Sequence, residues 1–214
     1  MTFVKICGIT RLADAQMAVR AGANAVGFVF AGGPRRITPA RARAISTRLH
    51  PAVRKVGVFV DMPADRVLAV VDEACLDGVQ LHGSEPVEVV QQVRRTKPSL
   101  LLFKAVPFEG GEVARTLHDL PVDALLVDPK DPADPLAPVD QIPAALISQM
   151  PRGRYVVAGG LNAQNVGALV RELQPWGVDV SRGVEVSPGK KDPAKVREFV
   201  RAVRGAESEV RAQS

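Results

Sequence analysis

Eight short runs of Val, Ile, Leu and Phe alternate with segments of helical periodicity along nearly the whole chain, and no other feature narrows its fold as far. The runs fall at Phe3–Cys7, Ala25–Phe30, Lys55–Val60, Gly78–Leu81, Leu100–Val106, Ala124–Val127, Tyr155–Ala158 and Gly177–Val180. Helical spacing of apolar residues covers Ala13–Ala21, Pro39–Leu49, Pro63–Cys75, Pro86–Arg95, Glu112–Leu117, Ile142–Gln149, Ala163–Glu172 and Pro193–Val203. Helix starts are marked at Thr38-Pro39, Glu85-Pro86, Asn162 and Asp192-Pro193, where polar caps and first-turn prolines stand. Strand–helix repetition of this kind builds a helix-covered parallel sheet. An open, doubly wound sheet would show a glycine-rich fingerprint after its first strand, and Cys7-Gly8-Ile9-Thr10 opens no such motif. The pattern therefore predicts an α/β fold, a (β/α)8 TIM barrel. Eight units in 214 residues put it near the minimal length for that architecture. Residues 1–205 are expected to form one barrel domain, and residues 206–214 a frayed polar tail.

Several function classes recede on composition. No run approaches the roughly 18 apolar residues of a membrane span, and the chain enters a strand at once, so a cytoplasmic protein without membrane partners is expected. Cys7 and Cys75 lie far apart in different element types, giving neither a disulfide framework nor a metal cluster. Cys75 closes an apolar helical stretch and reads as inert core. The net charge of +5 comes from arginines scattered over helices, with one Trp and one Tyr to stack on, which argues against nucleic acid. A positive field does suit a small anionic substrate.

In a barrel of this kind the chemistry sits where strands end. Alternation puts Phe3, Lys5 and Cys7 on one face of the first strand, and a lysine there is costly unless that interior is a polar, functional space. Cys7 reads either as a small core hydrophobe or as a reactive thiol at the strand's edge. Gln80 and His82 alternate inward on the fourth strand, and Asp128 ends the sixth. Asp128 reads as a turn opener before Pro129 or as a carboxyl held in the barrel mouth. Glycines follow the seventh strand at Gly159-Gly160 and the eighth at Ser181-Arg182-Gly183, where such barrels cradle a phosphate. A thiol near Lys5 as base and a carboxyl as acid, on strands one and six, suit proton-transfer chemistry without metal or cofactor.

The motifs Lys5-Ile6-Cys7-Gly8-Ile9-Thr10, Gly27-Phe28-Val29-Phe30, Pro34-Arg35, Val56-Gly57-Val58-Phe59-Val60, Val79-Gln80-Leu81-His82-Gly83, Ala158-Gly159-Gly160-Leu161-Asn162 and Gly177-Val178-Asp179-Val180-Ser181 with Gly183-Val184-Glu185 occur in an order that resembles the phosphoribosylanthranilate isomerase family. That resemblance implies a tryptophan-biosynthesis isomerase converting N-(5'-phosphoribosyl)anthranilate to 1-(2-carboxyphenylamino)-1-deoxyribulose 5-phosphate by an Amadori rearrangement. It implies Asp128 as general acid, Cys7 as general base, Arg35 against the anthranilate carboxylate, and Gly159, Gly160, Ser181 and Gly183 around the phosphate. Gln80 and His82 would form the polar floor of the site. The default oligomeric expectation is a monomer, since the family includes both monomers and dimers.

Three places depart from the family's pattern. A proline-rich, charged stretch, Pro129 to Asp140, replaces a glycine-rich loop; Arg182 replaces a serine; and Arg36 stands where an aromatic residue is usual. Arg182 is expected to reinforce phosphate binding. The alternatives left by these changes are a paralogue acting on a modified aryl-amine ribosyl phosphate, or a non-catalytic phosphate-binding barrel. An indole-glycerol-phosphate synthase or a sugar-phosphate epimerase would need other constellations at the strand ends.

Overall fold

Short β-branched runs followed by amphipathic helices close on themselves when each strand pairs in parallel with the next. A computed structural model describes residues 1–107, 120–128 and 155–212 of the chain. The strands are β1 (Phe3–Ile6), β2 (Ala25–Val29), β3 (Arg54–Phe59), β4 (Gly78–Leu81), β5 (Leu101–Pro107), β6 (Ala124–Asp128), β7 (Tyr155–Val157) and β8 (Gly177–Val180). They form a closed barrel in sequence order, sealed by parallel pairing of β1 with β8, in which Lys5 stands opposite Asp179. The described helices are α1 (Leu12–Arg20), α2 (Pro39–Ser46), α3 (Ala64–Ala74), α4 (Val87–Thr96), α5 (Val166–Leu173) and α6 (Pro193–Ala212). The expected helices Glu112–Leu117 and Ile142–Gln149, and the loop from Pro129 to Asp140, lie outside the described residues. No described helix is long and apolar enough to cross a membrane.

Two apolar layers result from the period-two alternation. Outward strand residues such as Val4, Ile6, Val26, Phe28, Val79 and Leu81 pack with the buried faces of the helices. Inward residues Ala25, Val56, Phe103, Ala105, Ala124, Leu126, Val156 and Ala158 fill the barrel, with Phe3 stacked on Trp176 at 4.7 Å beside them. The inward layers toward the strand ends are polar instead: Lys5, Gln80 and Asp179 are buried there. Gly27 makes this arrangement possible, because a Cβ on it would sit 2.8 Å from Cys7 Sγ and 3.1 Å from Lys5 Cε.

Helix ends follow local chemistry, with three departures from expectation. Thr38 caps α2 by accepting from the Arg41 amide, and Asp192 Oδ1 accepts from the Ala194 and Lys195 amides at the start of α6. Glu85 does not cap α4. Its carboxylate instead accepts from the amides of Asp61 and Gly83 and pairs with Lys104 at 2.8 Å, fastening the β3 and β4 loops to β5. The final helix runs through Ala212, so residues 206–212 are ordered turns rather than a frayed tail. Ala206 is buried there, Glu207 accepts from the Thr2 amide and from Arg204, and Arg171 pairs with Glu209. Cys75 ends α3 in a left-handed conformation (φ 53°) and is half-buried, not core.

Candidate active site

The strands deliver their C-terminal residues to one cavity of about 780 Å³. Its wall contains all the site residues named from the sequence: Cys7, Arg35, Gln80, His82, Asp128, Gly159, Gly160, Ser181, Arg182 and Gly183. Arg36, where the family usually has an aromatic residue, is exposed and is not part of that wall.

At the β1 edge, Lys5 Nζ lies 2.8 Å from Asp179 Oδ2, and both side chains are almost wholly buried. Burial pushes the Cys7 thiol above its ordinary value; Lys5 opposes this, Asp179 adds to it, and Lys191 opposes it again. Lys5 is held above the usual lysine value although burial works the other way, because Asp179 and Cys7 both favour its charge. The sequence suggested a thiol tuned by Lys5 or by the surroundings of a bound anion; in the fold Lys5 opposes the upward shift of Cys7 without overcoming it. The lysine's charge is already matched by Asp179.

Opposite, β6 ends in Asp128. His82 Nε2 lies 3.4 Å from Asp128 Oδ2, and His82 Nδ1 lies 2.7 Å from Gln80 Nε2. An amide nitrogen at Nδ1 can only donate, which leaves Nδ1 as acceptor and the proton on Nε2, facing the carboxylate. Gln80 and His82 thus do more than floor the site: they present a donor to Asp128. Gln80 Oε1, Asp179 Oδ1 and Ser181 Oγ are buried on residues that line the cavity, and they find no hydrogen-bond partner among the described residues. Such atoms on a cavity wall mark where a polar ligand satisfies them.

The far end is shaped by backbone. Gly159 and Gly160 both take positive φ, 76° and 60°, a pairing that side chains resist. Gly183 lies so close to the β7 loop that a Cβ there would meet the Leu161 carbonyl oxygen, in a 3₁₀ turn, Arg182–Val184, that follows β8 directly. Arg182 is exposed on the rim. The full helix α5 begins only at Val166, after a turn in which Asn162 Oδ1 accepts from the Gln164 and Asn165 amides, so the 3₁₀ turn stands closer to the cavity than either full helix expected there.

Residues 4–202 match the family of N-(5'phosphoribosyl)anthranilate (PRA) isomerase. The chain belongs to the phosphoribosylanthranilate isomerase family. A phosphoribosylanthranilate isomerase from Geobacter sp. (strain M21) is 45% identical over 202 residues, 94% of this chain and 97% of that protein. A solved phosphoribosylanthranilate isomerase in complex with reduced 1-(o-carboxyphenylamino)-1-deoxyribulose 5-phosphate is 37% identical, covers 96% of this chain and 100% of its own, and superposes with a TM-score of 0.82. Another solved relative, monomers generated from the dimeric Thermotoga maritima isomerase, is 36% identical over 96% of this chain and 100% of its own, with a TM-score of 0.81.

Three cavity or near-cavity groups escaped the sequence reading as site residues. Asp179 was legible in principle, since a buried Lys5 demands a counter-charge on a neighbouring strand. Glu185 and Lys191 belong to a small antiparallel hairpin, β9 (Glu185–Ser187) and β10 (Lys190–Lys191), whose only sequence signal is the turn at Pro188-Gly189.

Proposed function

We propose that this chain isomerises N-(5'-phosphoribosyl)anthranilate to 1-(2-carboxyphenylamino)-1-deoxyribulose 5-phosphate, with Asp128 as acid and Cys7 as base. The observation that carries the reading is the meeting of both groups on one cavity wall in a chain of this family. Asp128 donates a proton to the ribose ring oxygen, the C1'–O bond breaks, and an iminium forms at C1'. The Cys7 thiolate takes the C2' proton, giving an enolamine. That enolamine takes a proton at C1' from the Cys7 thiol and yields its 2' hydroxyl proton to the Asp128 carboxylate, so the product is an isomer, Asp128 is protonated again and Cys7 is again the thiolate. Arg35 receives the aryl carboxylate, and the Gly159-Gly160 turn with Ser181, Arg182 and Gly183 receives the phosphate. The unpaired Gln80 and Asp179 oxygens accept from ligand hydroxyl groups, and the Ser181 hydroxyl donates to the phosphate.

The reading extends to a cytoplasmic enzyme acting on a small phosphorylated molecule without a cofactor, as a monomer unless sedimentation shows the dimer of its Thermotoga relative. Fluorescence-monitored consumption of freshly made phosphoribosylanthranilate tests it. Turnover is expected; a folded protein that binds the reduced product yet consumes no substrate would be a binding barrel instead.

A further inference from the structure

Arg35 is gripped from the side by Glu185. Its Nε lies 3.0 Å from Oε1 and its Nη2 2.6 Å from Oε2, the parallel two-bond geometry of a guanidinium on a carboxylate. Glu185 is itself fixed: Lys191 Nζ lies 2.8 Å from Oε1, the Gly189 amide donates to the same oxygen, and the side chain is only 4% exposed. Burial would push the Glu185 carboxyl up, but Arg35 and Lys191 outweigh it and hold the group below the usual carboxylate range, so it stays charged.

A guanidinium offers two edges for two-point contact, Nε with Nη2 and Nη1 with Nη2. The first is occupied; Nη1 makes no hydrogen bond with a described residue, and Arg35 lines the cavity. We infer that Glu185, carried on the β9–β10 hairpin, is a positioning residue that clamps Arg35 so that its end edge takes the aryl carboxylate. This rests on the assignment of Arg35 to that carboxylate. Fixing the long side chain beforehand removes rotamer entropy from the cost of binding. The arrangement also explains Lys191. A glutamate beside an anion-binding arginine would cancel its charge, whereas two cations and one carboxylate leave a net positive charge for the ligand. The carboxylate contact is made equally before and during the chemistry at C1' and C2', so its loss falls on KM rather than kcat.

The test uses two probes on the purified protein: the reduced product, which carries both aryl carboxylate and phosphate, and inorganic phosphate. Glu185→Gln should weaken the reduced product roughly tenfold and raise KM by a similar factor, the scale of one charged contact made in poor geometry. Phosphate affinity should stay within about twofold of the parent, which a general structural loss would not allow. Glu185→Asp keeps the negative charge beside Lys191 while drawing it back from Arg35, and should show the same selective loss if the glutamine variant melts early. In an Arg35→Ala background neither change should cost anything further. If Arg35→Ala itself leaves the reduced product's affinity intact, the assignment of Arg35 is wrong. If Arg35→Ala weakens binding but the Glu185 variants do not, or if their losses persist without Arg35, the clamp is refuted.

Discussion

Lys5 and Asp179 face each other as register partners on β1 and β8, with Nζ 2.8 Å from Oδ2, in the side-chain layer just inside Cys7. Two charges this deeply buried hold each other in place, and removing one strands the other. Lys5→Met and Asp179→Leu should each destabilise the barrel by about 3–5 kcal/mol, whereas the double variant should recover most of that. Urea melts of the three proteins measure it. Additive losses would mean the two residues are not coupled.

The same pair sets the pH response. The base must be thiolate, and burial together with Asp179 raises the thiol against Lys5 and Lys191, so kcat/KM should climb with pH into a range above the ordinary thiol value. Asp179→Asn leaves Lys5 unbalanced beside the sulfur and should move that limb to lower pH; Lys5→Met should move it higher. Shifts in the same direction would contradict the electrostatic account.

Cys7→Ser should cut turnover by about 10²–10⁴ while the reduced product still binds, because a hydroxyl near neutral pH is a far poorer base. Steady-state kinetics and calorimetry on the same preparation decide it. Near-parental turnover would remove Cys7 from the mechanism.

For Asp128, the asparagine variant keeps shape but has no proton to transfer, and turnover should fall by a similar order with little change in Tm. A variant that unfolds early yet retains activity per folded molecule would make Asp128 structural.

Arg182→Ser should weaken the reduced product and inorganic phosphate alike, by about 1.5–3 kcal/mol if the guanidinium touches the phosphate. The difference should shrink in high salt. Equal phosphate affinities in low salt would leave phosphate to the glycine backbone and Ser181.

Much of this molecule is written in local pattern. Val, Ile and Leu runs gave β1 to β8 within a residue or two, and the cavity residues at strand ends followed from which face alternates inward. What pairs across the barrel was harder to read. Alternation places Lys5 and Asp179 inward but does not say that they stand side by side; closure and register decide that. Glu85 illustrates a different limit. Its position before Pro86 suggests a helix cap, and only the fold reveals Lys104 reaching it from β5. The Glu185–Arg35 clamp joins segments 150 residues apart through a hairpin too short to show a strand pattern.

The pairing of β1 with β8 carries a consequence for how the chain comes to life. Lys5 lies 174 residues from its carboxylate, so a nascent chain that has released seven strands still holds that ammonium without its partner and must keep it hydrated. Burial of the first strand's inner face thus waits for the last strand to emerge. Ser181, Arg182 and Gly183 arrive with it, and the sealing of the barrel and the completion of its chemistry become one event in time.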